Sequence, residues 1–196
     1  LAILVAVAAS LLADPPPEMG LSYPCNAGWR YWALGKAGRT DVILKEFREQ
    51  WARMPSVIQN NTIQENWRCP PDSAAQWSHC ALSPIYILYE EILGLRPLEP
   101  GFARLRLRPQ LGDLPDLEVV AHTPRGPIWL GAKRGTDGHD VIIAVPDGCD
   151  AELVLPPRAK TPLQPKTPTP SDGLGHFRLS PGKSEFTIPF SEPASP

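Results

Sequence analysis

Apolar residues recur every three or four positions over the first half of this chain and every second position over the rest, with the change near Pro97. The opening run LAILVAVAASLLAD is apolar for about 13 residues, too short to cross a bilayer. It reads as a buried helix rather than a signal peptide: Ala6-Val7-Ala8 resembles a cleavage site, but neither an initiator Met nor a basic segment precedes it. A start at Leu suggests the tail of a longer protein. CNAGWRYWALGKAGR then sets Trp29, Trp32 and Ala33 at helical spacing, with Gly35 or Gly38 available to close the helix. A further helix is expected from Thr40 as N-cap, with Asp41 in its first turn. Ile43, Leu44, Phe47, Trp51 and Met54 form its apolar stripe, and Pro55 stops it. Another begins at Ser83-Pro84, runs through Ile85, Leu88, Ile92 and Leu93, and ends at Gly94.

After Pro97 the period drops to two. FARLRLRPQ, LEVVAHT, GPIWLGAKR, HDVIIAVP and AELVLPP are short segments separated by turn residues. Asp137-Gly138 predicts one hairpin turn, and Pro181-Gly182 predicts a second hairpin within HFRLSPGKSEFTIPF. Antiparallel strands with tight turns predict a β-sandwich over 98–190. Trp129, mid-strand between apolar neighbours, reads as a core residue. Residues 156–171 repeat Lys-Thr-Pro, and the prolines there strip the backbone of donors, so an exposed loop in polyproline II conformation is expected. Residues 191–196 read as a disordered tail.

Composition changes little in this picture. The content is 42% hydrophobic and 20% charged, ordinary for a globular domain. The net charge of −2 divides evenly about residue 97, so neither half offers the basic field that nucleic acid or anionic lipid requires. Cys25, Cys69, Cys80 and Cys149 are scattered singly, without the paired spacing of a zinc site, and they assign no compartment. Among the histidines, His122, His139 and His176 are too dispersed for a metal site. Localisation and oligomeric state stay open.

The candidate chemistry lies between Asn60 and His79, in NNTIQENWRCPPDSAAQWSH. Glu65 sits on a loop between helices, flanked by Thr62, Gln64 and Asn66, which can hydrogen-bond a polar ligand, and by Trp67, whose face can stack on a sugar. Trp77 and His79 follow. A carboxylate, an imidazole and two indoles on helix-connecting loops suit a saccharide pocket. No nucleophile elbow, His-Glu-x-x-His or glycine-rich phosphate loop is present. Against this stand blander readings, with Glu65 as a first-turn charge at a helix N-terminus and His79 as a half-buried, hydrogen-bonded histidine.

The run GWRYWALGKAGRTDVILKEFREQWARM, then TIQENW, then WSHCALSPIYILYEEILGLRPLEPGFARLRLRPQ, resembles the C-terminal part of bacterial inverting α-L-rhamnosidases. The likeness continues through HTPRGPIWLGAKR, VIIAVPDGCDAELVLP and the final strands, covering most of the chain from about residue 20. It implies an α + β architecture: 1–97 as the closing helices of an incomplete (α/α)6 toroid, then the sandwich. A closed toroid of twelve helices needs on the order of 250 residues.

The family's Thr-Thr-x-x-Glu-x-Trp element matches Thr62, Glu65 and Trp67, with Asn61 in place of the first Thr, and its Asn-His pair matches Ser78 and His79, with Ser78 in place of Asn. The resemblance thereby implies Glu65 as general base and His79, Trp67, Ser78 and Thr62 as substrate-binding residues. The substrate is a rhamnose-containing glycoside or polysaccharide, with no cofactor. Inverting hydrolysis places a second carboxyl, the general acid, on the opposite sugar face. In the family that acid lies upstream, and Asp14, Glu18, Asp41, Glu46 and Glu49 do not occupy its motif. Asp41, Glu46 and Glu49 read instead as the solvated face of their helix. The chain alone is accordingly expected to be inactive. Alternatives are a toroidal glycosidase for another sugar, or a non-catalytic carbohydrate-binding protein using Trp67, Trp77 and the sandwich.

Overall fold

The computed structural model describes residues 2–20, 22–70, 72–155 and 175–190, with side chains from residue 7 onward. The expected loop at 156–171 and the tail at 191–196 lie outside the described residues. Two compact units emerge, Leu1–Ile92 and Leu93–Pro196.

The first unit is helical: α1 Ala2–Ala13, α2 Ala27–Lys36, α3 Thr40–Glu49, α4 Pro55–Asn60 and α5 Ser83–Ile87, the last continuing as a π-helical turn over Leu88–Ile92. The opening segment is a helix, but Val7 and Leu11 are about half exposed rather than buried. A helix apolar on every side covers only the face that meets a neighbour, and here Arg30 of α2 donates to the Leu12 carbonyl (2.6 Å).

In α2 the buried face is Ala27, Gly28, Tyr31, Leu34 and Gly35, not the expected stripe of Trp29, Trp32 and Ala33. Two glycines explain the difference. A Cβ on Gly28 would lie 1.8 Å from the Tyr86 hydroxyl, and one on Gly35 would lie 2.4 Å from the Glu91 carboxylate. The glycine-bearing side is therefore where α5 and its extension press closest, and Trp29 is left 72% exposed. Gly38, at φ +77°, rather than Gly35, ends the helix.

Thr40 is the first residue of α3 and not its cap; Arg39 precedes it and pairs with Asp41. Ile43, Leu44, Trp51 and Met54 are buried as expected, although a 3₁₀ turn, Trp51–Arg53, replaces the last helical turn. Pro55 does not merely stop that segment; it opens α4, where its missing N–H costs nothing. Ser83 likewise lies inside α5, with Leu82 preceding it and Pro84 in the first turn.

Glu46 also departs from expectation. It is buried, with both carboxylate oxygens accepting from Arg30 (2.8 and 2.7 Å), one of them also accepting from the Tyr31 hydroxyl (2.9 Å). Trp51 Nε1 in turn donates to Tyr31 (2.8 Å). Burial first, then the Glu46 charge, pushes the Tyr31 phenol far above its ordinary range, so it remains a donor. Apolar periodicity could not show that the polar side of α3 faces a basic residue of α2.

Among the described residues, the second unit holds eight strands: β1 Arg96–Pro97, β2 Arg104–Leu107, β3 Asp116–Thr123, β4 Gly126–Arg134, β5 Gly138–Val145, β6 Asp150–Leu155, β7 Gly175–Leu179 and β8 Gly182–Pro189. They form two four-stranded sheets, ordered β1-β2-β6-β7 and β3-β4-β5-β8. Pairing is antiparallel except between β2 and β6, whose long connection through β3 to β5 permits the parallel arrangement. The turn at Asp137-Gly138 joins β4 to β5, closed by Gly135 N–H to the Gly138 carbonyl (2.8 Å).

The second expected hairpin does not form. β7 pairs with β6 while β8 pairs with β5, so Ser180-Pro181 carries the chain from one sheet to the other. Gly182, at φ +99°, makes the bend. Ile128, Leu130 and Ala132 of β4, Val141, Ile143 and Val145 of β5, and Phe186 and Ile188 of β8 share one buried face. Trp129 alternates to the other face, which corrects its reading as core. Its ring covers Gly131, where a Cβ would lie 2.4 Å away, and its Nε1 donates to Glu118 (3.1 Å).

Candidate functional site

Residues 62–65 and 75–78 lie side by side, joined by backbone bonds. Glu65 N–H donates to the Ala75 carbonyl (3.0 Å), and Ser78 N–H donates to the Ile63 carbonyl (2.9 Å). The Thr62 hydroxyl adds a bond to the Gln76 carbonyl (2.7 Å). Four of the five residues singled out from sequence thus fall on these paired segments or directly beside them: Thr62 and Glu65 on one, Ser78 and then His79 on the other. Glu65 lies in a bend, away from any helix N-terminus, so the reading as a first-turn charge is excluded. Its side chain is exposed, as is that of His79, which is therefore not a half-buried histidine.

Glutamines hold this arrangement from beneath. Gln64 is fully buried. Its Oε1 accepts from Ser56 N–H (3.1 Å) in the first turn of α4, and its Nε2 donates to the Asn66 and Trp67 carbonyls (2.7 and 3.1 Å). The amide caps one helix while pinning the far side of the Glu65 bend. Gln76, also buried, accepts from the Asn60 amide and donates to the Pro70 carbonyl (3.1 Å).

Several side chains expected to meet a ligand are thus committed to the protein. Gln64 and Thr62 bond backbone, and Trp67 Nε1 donates to the Ser22 carbonyl (2.7 Å) while its ring stands edge-on to Trp51 at 5.3 Å. The Gln64 and Trp67 N–H groups, neighbours of Glu65 in sequence, therefore point elsewhere. The Ser78 hydroxyl accepts from the N–H groups of Cys80 and Ala81 (both 3.3 Å), a turn-capping role. What the arrangement offers chemically is an exposed carboxylate on a braced loop, an exposed imidazole on the adjoining segment, and Trp77, 55% exposed, between them in sequence.

Residues 94–169 match the family described as bacterial alpha-L-rhamnosidase C-terminal domain. The chain is related to the C-terminal part of bacterial α-L-rhamnosidases. It is 33% identical over 135 residues to an alpha-L-rhamnosidase of Alteromonas sp. (strain LOR), covering 63% of this chain and 15% of that protein. The structure resembles that of Streptomyces avermitilis α-L-rhamnosidase complexed with L-rhamnose, with a TM-score of 0.67 at 20% identity over 80% of this chain and 17% of that one. It also resembles a GH78 family rhamnosidase of Bacillus sp. GL1, with a TM-score of 0.54 at 26% identity over 76% and 18% of the two chains. The chain thus spans less than a fifth of the length of each of these rhamnosidases.

One feature of this rhamnosidase-related chain escaped the sequence reading. The structural glutamines look like ligand contacts when only their neighbours in sequence are visible.

Proposed function

We propose that the helical unit supplies the closing helices of an (α/α)6 toroid and the strand unit a C-terminal β-sandwich in an inverting α-L-rhamnosidase. In this reading Glu65 is the general base. An acid carried by an earlier part of the longer protein protonates the leaving oxygen of an α-L-rhamnoside. Glu65 takes a proton from a water on the opposite face of the sugar as that water attacks the anomeric carbon. The product is β-L-rhamnose, and the two carboxyls stand roughly 6.5–9.5 Å apart to admit the water.

The observation that carries the proposal is the pairing of 62–65 with 75–78, which puts the Glu65 bend and the His79 segment side by side with both side chains exposed. His79 and the exposed face of Trp67 meet the sugar; Thr62 and Ser78 hold the loop. The helical unit also exposes Trp29, Ile58 and Ile85, each by more than half, as expected of a wall that packs against further helices. The test is proton NMR of the longer protein acting on an aryl α-L-rhamnoside. First release of the β anomer supports inversion, whereas first release of the α anomer refutes it.

A second reading, a non-catalytic carbohydrate-binding protein, draws on one observation. Trp129 lies on the outer face of its sheet beside Glu118, Lys133, Asp140, Glu185 and Thr187, an indole bordered by hydrogen-bonding groups. Under this reading Trp129→Ala abolishes polysaccharide retention and no rhamnoside is turned over.

A further inference from the structure

Alternate residues of β3, β4, β5 and β8 point away from the buried side of their sheet, and the register sets them in rows. Asp116, Lys133, Asp140 and Thr187 form one row. Glu118, Gly131, Ile142 and Glu185 form the next, and Val120, Trp129, Ala144 and Lys183 the last. Gly131 and Ala144 leave the centre of the face low. The Trp129 ring lies over Gly131, where a Cβ would stand 2.4 Å from it, so any larger residue there would displace the indole. Trp129 Nε1 donates to Glu118 Oε1 (3.1 Å) across the neighbouring strand. A glycine floor and a hydrogen bond thus hold the ring in one place, and it remains partly exposed. Its polar surroundings are held as well: Thr187 donates to Asp140 (2.8 Å), and Lys183 pairs with Glu185 (2.7 Å). Over the face lies an open depression of about 970 Å³, a volume in the range of ligand sites.

The chemistry of the face selects its ligand. An indole already fixed in place offers an apolar surface without losing rotamer freedom on binding, and the C–H side of a pyranose ring is a matching surface. Carboxylates, a hydroxyl and ammonium groups at the margin suit the hydroxyls that project from the edge of such a ring. Four carboxylates stand against two ammonium groups on this face, a negative balance that disfavours phosphates and uronates. A quaternary ammonium is bound by a cage of several rings, and Trp129 is the one aromatic side chain in these rows.

We propose that this face of the strand unit is a glycan-holding site that works alongside hydrolysis, stacking one ring of a neutral, rhamnose-bearing polysaccharide on Trp129. The site goes beyond both functional readings above, since neither gives a hydrolase a second place to grip its polymer; the choice of rhamnose as the sugar rests on the rhamnosidase reading. Lys133, exposed and one outward position along β4 from Gly131, donates to a hydroxyl of the stacked sugar.

Biolayer interferometry of the longer protein on immobilised neutral α-L-rhamnan, polygalacturonate and poly-L-lysine tests the site, with thermal unfolding of each variant in parallel. Wild type should bind the rhamnan in preference to either charged polymer. Trp129→Ala should weaken that binding by about tenfold or more, the loss expected of a central aromatic anchor. Trp129→Tyr, which keeps a ring, should recover part of it. Lys133→Met changes an exposed side chain and leaves the packing over Gly131 intact, so it tests the site even where Trp129→Ala does not fold; it should weaken binding about threefold. Absence of rhamnan binding by wild type overturns the proposal, as does a preference for polygalacturonate or poly-L-lysine. Rhamnan binding that is unchanged in folded Trp129→Ala, or in Lys133→Met where the former does not fold, also overturns it. Binding is read without turnover: a wild type that holds rhamnan through Trp129 but releases no rhamnose from an aryl rhamnoside defeats the hydrolase reading and not this site.

Discussion

Replacing Gln64 by Met keeps the length and volume of the side chain while removing its amide. Three hydrogen bonds disappear. The loss of Oε1 weighs most, because Ser56 is fully buried and its N–H, a first-turn donor of α4 with no intrahelical acceptor, is left without a partner. An abandoned buried donor costs about 1–3 kcal/mol. The Asn66 and Trp67 carbonyls belong to partly exposed residues and can rehydrate, so each adds about 0.5 kcal/mol. The sum is about 2–4 kcal/mol. At a urea dependence of about 2 kcal/mol per M, the unfolding midpoint of the helical unit falls by about 1–2 M.

Tryptophan fluorescence reads this unit selectively, since Trp29, Trp32, Trp51, Trp67 and Trp77 all lie within it and only Trp129 lies outside. Amide exchange at Ser56 should accelerate alongside. A change below about 0.5 kcal/mol with Ser56 still protected would refute the claim that Gln64 braces the Glu65 bend.

The remaining predictions concern other parts of the chain. Glu46→Ala leaves Arg30 charged and largely buried, and should cost the helical unit about 3–5 kcal/mol in urea unfolding, whereas Glu49→Ala on the exposed side should stay within about 0.5 kcal/mol. Equal effects would mean that the Glu46 pair is not a buried one. Gly94→Ala places a methyl 2.0 Å from the Arg108 carbonyl at φ +67°, and should lower the thermal midpoint of the strand unit by several degrees; an unchanged midpoint would contradict the tight turn. Burial pushes the Glu152 carboxyl up, but hydrogen bonds from His176 and Arg106 outweigh it and hold the group below the usual carboxylate range. Its stabilisation is therefore complete above the unfolded-state value of about 4.3 and is lost as pH falls through the lower folded-state value. The stability gap between wild type and Glu152→Gln should close over that acid window, and a gap independent of pH down to 2 would be inconsistent with a depressed Glu152.

What the sequence revealed follows the reach of its signals. Period alone located the helical and strand-rich parts and the buried Ile43 and Leu44, because burial of one face is a local pattern. It misread α2, where glycines rather than large residues mark the close contact, and Trp129, where alternation with Ile128 and Leu130 outweighs an apolar neighbourhood. The hairpin at Pro181-Gly182 failed because turn chemistry specifies a bend, and the partner each strand finds is a long-range matter. At the candidate site, the Thr-x-x-Glu-x-Trp and Ser-His elements located the exposed Glu65 and His79. Nothing in their spacing distinguished side chains that face solvent from Gln64, Thr62 and Ser78, whose polar atoms are committed to backbone.

The account rests most directly on Glu65, and the measurement that tests it is rhamnose release from an aryl α-L-rhamnoside by the longer protein and its Glu65→Gln variant, with folding and rhamnose affinity measured in parallel. If Glu65 activates the attacking water, kcat falls by about 10²–10⁴-fold or more while the fold and rhamnose affinity are kept. Turnover within a few-fold of wild type would contradict the account and leave Glu65 an exposed loop charge.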